Sequence, residues 1–141
     1  MALLPDYATL AKLWIFGDAH HVPLLQNVVS DVLAEKMVTE RKAPDAAVID
    51  YIYENTVSNA LLRKAVVEGV RLMMDADSSC TMSPCAGLNE WHVDDSANLK
   101  SILSMQKLAR PNNGKRDYWL YSRRCERHIH KDGQWCADMG R

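Results

Sequence analysis

Two thiols and two imidazoles gather near the C-terminal end of this 141-residue chain: Cys125, His128, His130 and Cys136. Such a donor set suits tetrahedral zinc, whose structural sites are built from four Cys and His side chains. The spacing is not that of a standard zinc finger, whose paired ligands lie farther apart. Asp132-Gly133 also works against the site, because this dipeptide favours a two-residue hairpin turn. Pairing outward from it sets His130 opposite Trp135 and Ile129 opposite Cys136. Strand alternation then turns Cys136 to the face opposite His128 and His130. A regular hairpin and a four-ligand zinc site therefore exclude each other. A small surface hairpin is the expected arrangement, with zinc as the alternative cofactor. On that ladder Cys125 lies about 13 Å along the strand from the residue facing Cys136, too far for a disulfide.

The other reactive side chains form weaker patterns. Cys80 and Cys85 share a small, polar stretch with Pro84 and precede His92, which would suit a redox pair or a thiol with a histidine base. Neither has a recognisable helix N-terminus beside it or a third group to orient the pair, so solvent-facing thiols are expected. His20-His21 falls in a short turn, where two adjacent rings cannot share one helical side, and reads as structural. Tyr51 and Tyr53 read as partly buried helix residues. There is no glycine-rich phosphate loop, no H-E-x-x-H and no G-x-S-x-G. No catalytic residue is assigned, and a non-enzymatic protein is expected.

Composition limits the options further. A net charge of −1, with 48% hydrophobic and 25% charged residues, matches an ordinary globular protein. The mean conceals two unlike parts. Residues 1–110 carry 10 basic and 14 acidic side chains, a balance of −4, whereas residues 111–141 carry 7 and 4, a balance of +3. The break falls at Arg110-Pro-Asn-Asn-Gly114, a cluster of turn formers. In the basic part, Lys115, Arg116, Arg123, Arg124, Arg127 and Lys131 interleave with Tyr118, Trp119, Tyr121 and Trp135. Single-stranded nucleic acids are bound by such mixtures through phosphate attraction and base stacking. The small excess of charge favours the simpler outcome, in which the aromatics dock the tail onto the body. No stretch reaches the length of a membrane span, and Met1-Ala-Leu-Leu-Pro-Asp6 lacks the basic start of a signal peptide. An intracellular protein of the cytoplasm or nucleus, with reduced thiols, is expected.

The elements that must position these groups are helices. Ala8, Leu10, Ala11, Leu13 and Trp14 form one helical stripe over residues 6–17, with Asp6 as N-cap and Gly17-Asp18 as stop. Pro23 opens a second helix whose apolar positions are Leu24, Leu25, Val28, Val29, Val32, Leu33 and Met37. Pro44-Asp45 starts a third with Val48, Ile49, Tyr51 and Ile52. Ser58 or Asn59 caps a fourth, carrying Leu61, Leu62, Ala65, Val66, Val70, Met73 and Met74. After a loop over 76–93, Asp94 or Asp95 starts a fifth helix, to about residue 110, using Leu99, Ile102 and Leu103. The expected fold is mainly α: about five helices in antiparallel pairs, with a small irregular or β-hairpin tail over 111–141.

The run Tyr7-Ala-Thr-Leu-Ala-Lys-Leu-Trp-Ile-Phe-Gly-Asp18, followed by Val22-Pro-Leu-Leu-Gln-Asn27, resembles the closing helices of BTB/POZ domains, particularly those of fungal proteins. There, a helix ending in an aromatic-small-Asp turn leads through Val-Pro-x-Leu into the next helix. Val48-Ile-Asp-Tyr-Ile-Tyr-Glu-Asn-Thr56 with Leu61-Leu-Arg-Lys64 looks like the helical extension behind such domains. The resemblance covers residues 7–75, with the closing helices at about 7–40 and the extension at about 44–75. It implies protein–protein interaction, namely homodimerisation and, in some members, adaptor duty for cullin-type ubiquitin ligases. It also implies a sheet ahead of these helices, which the chain starts too late to contain, so a truncated fragment is expected. Without that sheet, apolar surface should be exposed around Leu10, Leu13, Trp14 and Val28, with self-association as a consequence.

Overall fold

A computed structural model describes residues 4–75, 95–105, 119–120 and 128–129 of the chain. Five helices pack together: α1 (Tyr7–Ala19), α2 (Pro23–Glu40), α3 (Ala46–Asn55), α4 (Leu61–Asp75) and α5 (Ser96–Met105). No strand occurs among the described residues. Three helices start on an aspartate whose carboxylate accepts a backbone N–H one turn ahead. Asp6 accepts from Thr9 at 2.7 Å, Asp45 from Val48 at 3.0 Å and Asp95 from Asn98 at 2.9 Å. Each carboxylate satisfies an orphan donor and sits at the positive end of the helix dipole.

The α1–α2 turn explains the adjacent histidines. Helix α1 runs past Gly17 to Ala19, where His20 caps it and His21 takes a left-handed φ of 55°. The N–H of Val22 then bonds back to the Gly17 carbonyl at 2.8 Å, and that of His21 to Asp18 at 3.4 Å. This is the reciprocal closure of a Schellman motif, reached without the customary glycine. Gly17 serves a different need: a Cβ there would stand 2.8 Å from the Gln26 side chain and 3.3 Å from the Val22 carbonyl. The absence of a side chain lets α2 fold back against α1. Helix α2 ends the same way, with Arg41 at φ 54° and the N–H of Lys42 bonded to Met37.

Buried Leu10, Trp14, Leu33, Met37, Ile49, Ile52, Leu62, Val66, Val70, Met73 and Leu99 form the main core, drawn from all five helices. Removing such a side chain from water contributes about 1.5–3 kcal/mol. The sequence pattern misplaces part of α2. Leu24 and Val28 point outward, 65% and 52% exposed, while Gln26, Asn27 and Ser30 are buried. Helix α2 packs against α1 and α4 and also carries the tail, so its buried surface extends beyond one apolar stripe. The expected exposure around Leu10 and Trp14 is corrected as well. Both are core residues at 2% and 4%, because α1 packs them against α2 and α3. Leu13 and Val28 do face outward.

Between α3 and α4, Asn59 takes φ 62° and α4 begins two residues later. Arg63 on α4 is buried and turns back on this junction. Its guanidinium donates to the Thr56 hydroxyl at 2.8 Å and to the carbonyls of Tyr53 and Thr56 at 3.0 and 2.7 Å. It also lies over the Tyr53 ring, 4.5 Å from the centroid. One planar fork thus satisfies the Tyr53 carbonyl in the last turn of α3 and that of its cap residue Thr56. Helix α5 docks on α3, tied by Lys100 to Asp50 at 2.6 Å.

Candidate functional site

Among the described residues, the most perturbed side chain lies at the start of α1. Tyr7 donates to the Lys42 carbonyl at 3.0 Å, and the Lys36 ammonium stands 5.0 Å from its ring while pairing with Glu40 at 2.7 Å. Burial first, and the Glu40 carboxylate second, push the phenol well above its ordinary value. A phenol raised in this way stays protonated at neutral pH and acts as a donor rather than a base. Its position is structural, joining α1 to the link after α2. A cavity of about 310 Å³ beside it is lined by Asp6, Tyr7, Lys36, Glu40, Lys42 and Asp45. A larger one of about 540 Å³ lies between the α2–α3 link and α5, against Arg41, Pro44, Ile49, Lys100 and Leu103. Ser104 also lines the larger one, its hydroxyl donating to the Ser101 carbonyl at 2.7 Å.

Of the four candidate zinc ligands, His128 is described, whereas Cys125, His130 and Cys136 lie outside the described residues, as do Cys80, Cys85, His92 and the Asp132-Gly133 turn. The His128 side chain is 8% exposed and places Nε2 2.8 Å from the Asp31 carboxylate on α2. A carboxylate only accepts, so Nε2 is the donor in this pair. Among the described residues, no three His, Cys, Asp or Glu side chains group closely enough to hold a metal ion. No helix among them is long and apolar enough to cross a membrane.

Next to His128, Ile129 makes a paired polar contact with the body. The N–H of Ile129 donates to Asn27 Oδ1 at 2.7 Å, and Asn27 Nδ2 donates back to the Ile129 carbonyl at 3.0 Å. Ile129 lies outside any helix or strand, so both of its main-chain groups are available to a side chain. A second anchor is hydrophobic. Trp119 and Leu120 are buried with Ala34 and Val38 of α2 and pack against Leu72 of α4. The indole reaches over Gly69, whose missing Cβ would stand 3.3 Å from Trp119 and 2.6 Å from the Met37 methyl. Trp119 Nε1 faces the Glu68 carboxylate at 3.4 Å. Docking of Trp119 onto the body was legible as an expectation from the sequence, whereas Tyr118, Tyr121 and Trp135 lie outside the described residues. The buried Asn27 that receives Ile129 was not legible, because a polar residue within an apolar run carries no sign of its partner.

The exposed large apolar side chains are unevenly spread. Leu13, Phe16, Val22, Leu24 and Val28 belong to the α1–α2 hairpin, and Leu4 and Val57 lie elsewhere. Phe16 is covered on one side by His20, with ring centroids 4.2 Å apart.

No protein-family model matches the chain, and neither a curated protein nor a solved structure matches it.

Proposed function

We propose that this protein is a non-catalytic protein–protein interaction module, an adaptor or scaffold resembling the rear part of a BTB/POZ protein. It binds other proteins, or a second copy, through the outer side of the α1–α2 hairpin. One observation carries the reading: among the described residues, five of the seven exposed large apolar side chains fall in this hairpin, over residues 13–28. Exposed apolar surface concentrated in one region is a mark of protein contact surfaces. Attachment to a cullin-type scaffold rests on the family resemblance alone.

The test pairs the full chain with a Phe16→Ser/Leu24→Ser variant, both checked for native helical content. Interaction through the hairpin predicts partners, or a concentration-dependent dimer in sedimentation, that the wild type retains and the variant loses. Identical partner sets and a monomer in both cases would defeat the proposal.

A second reading, zinc binding by the tail, has one observation in its favour. A carboxylate behind an imidazole, as Asp31 stands behind His128, is the arrangement that orients metal-bound histidines. Elemental analysis should then find one zinc per chain, lost on Cys136→Ser. No comparable observation supports nucleic-acid binding.

A further inference from the structure

We propose that the face formed by α2 and α4 is a peptide-binding cradle for a basic, tryptophan-bearing segment of a partner protein, and that the chain's own Trp119-Leu120 and His128-Ile129 occupy it as an internal pseudo-ligand. This surface adjoins the outer side of the α1–α2 hairpin, since Asn27 and Asp31 each lie three residues beyond Leu24 and Val28 on α2, but its argument does not depend on the function proposed there.

Three features of the cradle read a polypeptide. Asn27 bonds both main-chain groups of Ile129, a pairing that accepts any residue except proline and so recognises backbone rather than side chain. Asp31 accepts from the ring N–H of the preceding residue, His128. The surface made by Ala34, Val38, Gly69 and Leu72 seats the Trp119 indole, with Glu68 at its N–H. Main-chain hydrogen bonds for affinity and side-chain pockets for specificity are the division of labour in peptide-binding domains. Net charge favours a basic occupant. The cradle presents Asp31 and Glu68, on a body carrying −4, to a tail carrying +3. A tethered segment has an effective concentration on the order of millimolar. The tail therefore competes with any incoming peptide, and weakening it should raise the apparent affinity of the cradle.

The probe is a labelled peptide of residues 115–131, titrated against the full-length chain and two full-length variants that loosen the tail. Ile129→Pro removes the donor to Asn27, and Trp119→Ala removes the apolar anchor. We expect both variants to bind the peptide at least about tenfold more tightly than the wild type. Adding Asn27→Asp should cancel most of that gain, a scrambled peptide should bind at least tenfold more weakly, and added salt should weaken the complex. Equal binding by wild type and variants, indifference to Asn27→Asp, or equal affinity for the scrambled peptide would overturn the proposal. So would loss of helical circular dichroism in both variants, since the tail would then be an integral part of the core. A wild-type dimer that dissociates on Trp119→Ala would assign the cradle to the tail of a second copy instead of a partner protein, and overturn it too.

Discussion

Asn27 on α2 holds both main-chain polar groups of Ile129, 102 residues further along the chain, through hydrogen bonds of 2.7 and 3.0 Å. The amide is mostly buried, so its two ends are satisfied by the tail. Asn27→Asp keeps an acceptor for the Ile129 N–H but sets a second carboxylate oxygen against the Ile129 carbonyl. We expect a loss of about 1–3 kcal/mol in thermal or urea unfolding. Hydrogen exchange at the Ile129 amide should quicken, with the amides of α3 unchanged. An unaltered rate at Ile129 would show that the bond contributes nothing to holding the tail.

Gly69 is the contact point between α2, α4 and Trp119. A methyl group there meets the flexible end of Met37 first, and alanine gains about 1 kcal/mol of helix propensity. Gly69→Ala is therefore expected to be close to neutral. Gly69→Leu has no such escape, because the added atoms enter the space of the buried Met37 and Trp119. It should cost about 1–3 kcal/mol in urea unfolding and shift tryptophan emission to the red. Equal stability of the two variants would contradict this geometry.

Arg63 should be the most sensitive polar position. Arg63→Ala strands the Thr56 and Tyr53 carbonyls and removes the cation from the Tyr53 ring. A loss of about 2–4 kcal/mol is expected by urea denaturation. Arg63→Lys restores the charge but not the planar fork, and should recover only part of it. Full recovery by lysine would mean that charge alone matters there.

Two groups set opposite ends of the pH profile. The Tyr7 phenol is held above its ordinary value of 10.0 by burial and by Glu40, so ionisation favours the unfolded chain. Its contribution is intact below that value and falls away as pH climbs past it. Tyr7→Phe should flatten this alkaline limb in a Tm-against-pH series. Asp6 is lowered from 3.8 by the N–H of Thr9, and its contribution is present above that value and lost as pH falls through the lower folded one. Asp6→Asn keeps the cap and should remove that part of the acid dependence. A Tyr7→Phe profile parallel to wild type above pH 10 would rule out the assignment.

Local chemistry made much of the fold readable from the residues alone. Asp6, Asp45 and Asp95 announce helix starts because a capping carboxylate needs only the next three residues. Pro23 sits at the first position of α2 for a similarly local reason, its fixed φ and missing N–H. The main α character, the five helices and the buried stripe of α4 follow from periodicity.

Other features required partners distant in sequence. Leu24 and Val28 fit the stripe of α2 yet face outward, while Asn27 and Ser30 lie inside, because α1, α4 and the tail together determine which side of α2 is covered. Nothing around Arg63 in the sequence shows that it is buried, because the carbonyls at the end of α3 that take its hydrogen bonds meet it only when α3 and α4 pack. His128, one of four candidate metal ligands by spacing, faces Asp31. Helices and their caps form from contacts within a few residues, so the sequence by itself determined them. Which side of α2 is buried and where the tail is seated depend on surfaces that meet only when separated segments pack, and these the tertiary structure alone decided.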